Sequence, residues 1–125
     1  MLTNSPVSAI LPTTDLGRAR DFYQNKLGLT ATAVPFDDPL MFEAGNKTVL
    51  VVYHRPEGTK AEHTVAGFMV TNIEDQIAEL KTKGVVFEDY DMPGFNHINH
   101  VMDYGNVKSA WFKDPDGNIL AINQL

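Results

Sequence analysis

The stretch VKSAWFKDPDGNILAINQL, residues 107–125, decides how the rest of the chain is read. Its centre, Asp114-Pro115-Asp116-Gly117, is a four-residue turn with each residue type where the backbone wants it. Asp114 can bond back to the turn amides, and Pro115 is pre-set to the φ of the second position. Asp116 tolerates the bridge region, and Gly117 takes positive φ without steric cost. Strands are expected on both sides, over Val107 to Phe112 and Ile119 to Asn123. Both are apolar on both faces: Trp111 and Phe112 point opposite ways, as do Leu120 and Ala121, because side chains alternate along a strand. A sheet with one wet face would be polar at every second position. This hairpin must be covered twice, by a helix on one side and by a cavity wall or a second layer on the other. Trp111 is in phase with Ser109 and Val107, and Phe112 with Ala110. The more polar company of Trp111 assigns it to the cavity side.

Working back to the N-terminus, Val7 to Leu11 reads as a short strand closed by Pro12. Thr14 or Asp15 caps a helix whose apolar stripe is Leu16, Ala19, Phe22, Tyr23 and Leu27, with Gly28 to end it. Strands are expected over Leu29 to Phe36, Met41 to Ala44 and Thr48 to Tyr53. The polar segment from His54 to His63 reads as a linker. The order then restarts. Thr64 to Val70 is a strand, and Thr71 with Glu74, or Asn72, caps a second helix with the stripe Ile73, Ile77 and Leu80. That helix stops at Gly84. Val85 to Phe87 is a strand, Asp89 to Gly105 a loop-rich insert, and the hairpin closes the chain. The architecture is therefore α+β: two βαβββ modules, over 6–54 and 64–125 of a single domain of residues 1–125. Each forms a curved mixed sheet with one helix outside, and the sheets close around an interior, on each other or on a second chain.

Composition excludes several function classes. The 125 residues include 10 Lys plus Arg against 16 Asp plus Glu, a formal charge of −6. Nucleic acid and anionic membrane surfaces are poor partners for such a chain. With no cysteine, disulfides, thiolate zinc sites and Cys nucleophiles are out. No apolar run approaches the ~20 residues of a membrane span, and a cytoplasmic location is expected. A symmetric homodimer is expected as well, because half-open sheets leave strand edges and an apolar groove.

Two segments carry a family resemblance. DLGRARDFY (15–23), running on to Leu27-Gly28-Leu29, resembles the first helix of the vicinal oxygen chelate superfamily, and WFKDPDGN (111–118) resembles its last hairpin. The group includes glyoxalase I, extradiol dioxygenases, metal-dependent antibiotic-inactivating transferases and bleomycin-resistance proteins. The resemblance implies this fold, and it usually implies a divalent metal held by His and Glu from the first and last strands of each module. Carried over, those four positions are Ser8, Leu50, Val65 and Ala121, and a one-residue shift offers Val49, Val51, Thr64 or Ala66. None supplies the roughly three converging N or O donors that a catalytic metal needs. No metal and no other cofactor is expected.

The residues expected to line a ligand cavity are Ser8, Ile10, Leu50, Val65, Phe95, His97, His100, Tyr104, Trp111 and Ala121. His97 and His100 lie three apart, a helical spacing in a segment whose Pro93, Gly94, Asn96 and Asn99 oppose a helix; on a strand they would face opposite ways. Glu43 could be a lone carboxylate in the cavity. Two functions remain open. One is a metal-free protein that sequesters a partly apolar, cationic small molecule. The other is a glyoxalase- or dioxygenase-type enzyme with a non-standard site using His97, His100 or Glu43.

Overall fold

The computed structural model describes residues 1–125, which fall into two units, Met1–Lys60 and Ala61–Leu125. In the first, the elements are β1 (Ala9–Thr13), α1 (Leu16–Arg20), β2 (Thr30–Ala31), β3 (Leu40–Glu43) and β4 (Val49–His54). The sheet order is β1-β4-β3-β2, with β1 parallel to β4 and the other pairs antiparallel. In the second, β5 (Thr64–Met69) and α2 (Ile73–Thr82) precede β6 (Phe87–Glu88), β7 (His97–Ile98), β8 (Val101–Asp103), β9 (Lys108–Lys113) and β10 (Ile119–Gln124). Their order is β5-β10-β9-β8-β7, with β6 also on β9. Each unit is thus a curved, mixed sheet with a helix against it, the α+β architecture read from the sequence.

Several boundaries differ from expectation, each for a physical reason. The first strand starts later and runs through Pro12 to Thr13. It pairs only with β4, and an edge strand tolerates a residue without an N–H. Asp15 is the cap of α1, accepting from the Arg18 amide at 3.0 Å. The helix then widens into a π-helical turn over Asp21–Lys26, where the Leu27 amide reaches the Phe22 carbonyl and Gly28 takes φ 77°. This turn places Tyr23, fully buried, 5.7 Å from the Phe42 ring. The expected strand over Leu29 to Phe36 shrinks to Thr30–Ala31. Beyond it, both the amide and the hydroxyl of Thr32 bond the Met41 carbonyl, and Pro35 cannot extend a ladder. Asn72 caps α2, accepting from the Asp75 amide, while the Gln124 side chain takes the Ile73 amide at 2.8 Å; no Thr71–Glu74 box forms.

The terminal hairpin matches its reading closely. Asp114 Oδ1 accepts from the amides of Asp116 and Asn118 at 3.0 and 2.8 Å, its Oδ2 accepts from Asn118 Nδ2 at 2.8 Å, and Gly117 has φ 92°. Ala110, Phe112, Leu120 and Ile122 are all at most 2% exposed. They share one face with Phe87, which meets Phe112 edge-on at 5.6 Å, and α2 packs on β9 and β10 with Ile73, Ile77 and Leu80 buried. Trp111 lies on the opposite face, across the ladder from Ala121 and Glu88.

The insert expected over Asp89 to Gly105 is an excursion from one edge strand. β6 and β8 both run antiparallel to β9 along its free edge, pairing Glu88 with Trp111 and then Met102 with Ser109. Between these ladder positions the chain loops out and returns as the β7–β8 hairpin, whose turn residues Asn99 and His100 take φ 50° and 70°. No helix in the structure is long and apolar enough to cross a membrane.

Candidate functional site

The excursion builds a cavity against Trp111. Tyr90 and Met92 descend from its first limb, Thr64 and Ile119 come from the first and last strands of the unit, and Glu62 and His63 border the opening; with Trp111 they line a half-open cavity of about 210 Å³. The Tyr90 ring meets the indole edge-on at 5.9 Å, and the His97 ring does so at 6.2 Å. Ala121 lies beside the indole across the ladder, and its small side chain leaves room there.

The Tyr90 hydroxyl is buried without a hydrogen-bond partner. Burial raises the pKa of this phenol above its usual 10, and the neighbouring Glu88 carboxylate raises it further. A raised folded-state value means that the stability Tyr90 contributes is fully present below pH ~10 and is lost as pH rises through the folded-state pKa. Urea midpoints measured from pH 8 to 11 should therefore fall more steeply for the wild type than for Tyr90→Phe. At neutral pH Tyr90→Phe should cost less than about 1 kcal/mol, because it removes no hydrogen bond. A larger neutral-pH loss would mean that the hydroxyl has a partner.

The two histidines part company. His97 lies on the Trp111 side, with Nε2 2.6 Å from the Tyr90 carbonyl oxygen. The left-handed turn rolls His100 to the helix side, where it stacks on Phe87 at 5.8 Å and its Nε2 lies 3.4 Å from Lys81 Nζ. His100 is therefore not part of the Trp111 cavity. Asp89, at the sheet edge between them, places Oδ1 3.0 Å from His100 Nδ1 and 3.7 Å from His97 Nδ1. Phe95 and Tyr104 meet with their rings tilted, centroids 4.9 Å apart, further out on the excursion, and Tyr104 meets Met92, whose sulfur accepts from the Tyr104 hydroxyl.

In the first unit, Ile10 pairs with Val51 and Met41 faces Val51 from the other side, so Ile10, Val49, Val51, Met41 and Glu43 share the face away from α1. Ile10 is 64% exposed there, Glu43 is exposed, and Ser8 is exposed just before β1. Leu50, in contrast, is 4% exposed on the helix-covered face with Leu11 and Val52. Leu50, expected in a cavity, thus packs under the helix, and its neighbours Val49 and Val51 take the other face. Val65 sits at a bulge between the Thr64–Ile119 and Ala66–Leu120 pairs.

The metal suggested by the resemblance does not fit these residues. The carried positions offer one exposed hydroxyl and three apolar side chains, and no three His, Asp or Glu side chains are placed to hold an ion together. Asp89, His97 and His100 come near one another, but the two rings lie on opposite sides of the sheet edge.

As cavity residues, sequence reasoning missed Glu62, His63, Thr64, Tyr90, Met92 and Ile119. A signal for Tyr90 was present: it follows Glu88 by two residues, and a strand through Glu88 beside Trp111 carries Tyr90 to the same face.

The model of the Glyoxalase/Bleomycin resistance protein/Dioxygenase superfamily matches residues 6–122. No curated protein matches the chain by sequence. Solved structures with the same fold include one from Bacillus anthracis described as a glyoxalase family protein. It has 17% identity and a TM-score of 0.76, over 97% of this chain and 94% of that one. TnmS3, an antibiotic binding protein from Streptomyces sp. CB03234, has 23% identity and a TM-score of 0.71, over 99% and 98%. A lactoylglutathione lyase from Agrobacterium tumefaciens has 15% identity and a TM-score of 0.69, over 97% and 93%.

Proposed function

This chain belongs to the glyoxalase/bleomycin resistance protein/dioxygenase superfamily, and from that premise we propose that it is a metal-free small-molecule-binding protein. The observation that carries the reading is the cavity against Trp111, walled by aromatic and apolar side chains with a carboxylate at its opening. Such a lining stacks a flat, partly apolar ligand and gives it few polar anchors. Glu62 at the opening, Glu88 beside the indole and the net charge of −6 favour a ligand carrying positive charge. An antibiotic binding protein among the fold's neighbours is consistent with sequestration as a use of this scaffold.

The enzyme reading has less support. His100 lies outside the Trp111 cavity, and both ring nitrogens of His97 face oxygen atoms. No nucleophile stands beside a base.

The same reading takes the protein as a cytoplasmic homodimer. Elemental analysis of the purified protein should find no stoichiometric metal, and light scattering should give about twice 13.9 kDa. About one Ni, Zn, Fe or Mn per chain would replace the binding reading with the enzymatic one. A 13.9 kDa particle at micromolar concentration would contradict the dimer.

A further inference from the structure

Ala121 on β10 has Trp111 of β9 as its partner on one side and Gly67 of β5 on the other. On the cavity face this rung of the sheet runs from an indole through a methyl group to bare backbone. Gly67 is exposed, and its φ lies outside the left-handed region, so backbone geometry does not call for a glycine there. A glycine inside a strand weakens it and often marks a close approach. Here the approaching group is the Asn123 side chain: a Cβ on Gly67 would lie 3.0 Å from Asn123 Nδ2.

Asn123 stands two residues beyond Ala121 on β10 and therefore on the same face. Across the ladder from it is Ser109, whose hydroxyl donates to Asn123 Oδ1 at 2.7 Å. With its oxygen held toward β9, the planar amide turns its nitrogen the other way, over β5 and Gly67. That nitrogen carries two N–H donors. It makes no hydrogen bond within the chain, and it is not sealed from solvent. A polar pair that only fastened β9 to β10 would need the Ser109 bond and no more. The missing side chain at Gly67 makes room for a donor that the fold itself leaves unused.

We propose that Asn123 Nδ2 is the polar anchor of the ligand site: a molecule stacked on Trp111 extends across Ala121 and Gly67 and presents a hydrogen-bond acceptor, a carbonyl or similar neutral oxygen, to the Asn123 amide. Two strand spacings separate β9 from β5, which puts that acceptor about 10 Å from the indole. Few, fixed polar groups of this kind orient a ligand in an otherwise apolar site. The anchor rests on the binding reading above and narrows it, from a flat cation to a flat cation with an acceptor at its far end.

Two probes test this: N-methylacridinium carrying a butyl arm that ends in an acetyl group, and the same cation with the arm ending in isopropyl. They share ring, charge and shape and differ in the acceptor. Followed by the emission of Trp111, the only tryptophan, the acetyl probe should bind the wild type about fivefold more tightly, the worth of one neutral hydrogen bond. The ratio of the two affinities should fall to about one in Asn123→Ala, and also in Gly67→Ala, whose new methyl displaces the amide. In Asn123→Asp the ratio should invert, because a carboxylate repels the carbonyl. A ratio taken within one variant is insensitive to a general loosening of the sheet, and if Asn123→Ala does not fold, Gly67→Ala and Asn123→Asp carry the comparison. In the protein without ligand, the Asn123 side-chain amide protons should exchange rapidly with water; protected protons would mean that the donor is already used and would overturn the anchor. Equal binding of the two probes by the wild type, or a preference that survives in Asn123→Ala, would overturn it too while leaving the Trp111 cavity reading in place. Failure of both probes to bind would instead overturn that reading, and the anchor with it.

Discussion

Phe112→Ala is expected to destabilise the protein by about 3–5 kcal/mol, the cost of emptying a fully walled aromatic site, and Trp111→Ala by clearly less. The two neighbours differ because a strand turns them to opposite faces. Phe112 is 1% exposed, faces the side that α2 covers and meets Phe87 edge-on. Trp111 is half-buried and borders a cavity, so its removal enlarges existing space instead of opening a sealed void. Ligand binding should show the reverse order, with Trp111→Ala losing the stacking surface and Phe112→Ala retaining it wherever the protein stays folded. Urea unfolding followed by circular dichroism gives the first ranking and a binding titration the second. If Trp111→Ala unfolds the protein while Phe112→Ala is mild, the two faces of the hairpin are inverted.

Asp114→Ala is the second large effect. The carboxylate is 5% exposed and accepts from two backbone amides and from Asn118 Nδ2. Asn118 is fully buried, so its two donors cannot turn to water when the acceptor goes. Bonds to a charged acceptor and stranded donors each count for about 1–3 kcal/mol, and the expected loss is on the order of 3 kcal/mol. Asp114→Asn should lose about half as much, since one amide oxygen still accepts while the NH₂ end meets another donor. An Asp114→Ala loss below about 1 kcal/mol would mean that strand pairing, and not the turn, holds β9 to β10.

These two predictions rest on the part of the molecule that was legible from the chain alone. The DPDG turn is decided by hydrogen bonds within the five residues Asp114 to Asn118, and the alternation of Trp111 and Phe112 follows once a strand is granted. The face of Leu50 was not legible, because Val49, Leu50, Val51 and Val52 are apolar at every position and nothing in such a run sets its parity. Only the pairing of Ala9 with Leu50 and of Phe42 with Leu50 does so. The excursion was hidden for another reason. Its residues read as a loop, while its structure comes from contacts at long separation, between Asp89 and His100 and between Tyr90 and Trp111. The separation of His97 from His100 depends on two positive φ angles at residues other than glycine, which composition does not announce.

The central claim is that the Trp111 cavity takes a small, flat, positively charged molecule without a metal. Titrating the protein with a series of planar aromatic cations while following Trp111 emission tests this most directly, with each titration repeated after exhaustive treatment with a chelator. The account predicts saturable quenching by at least one member of the series, one molecule per chain, unchanged by chelation and lost in Trp111→Ala. Quenching that saturates with none of them, or that vanishes on chelation and returns with a divalent metal, would contradict it.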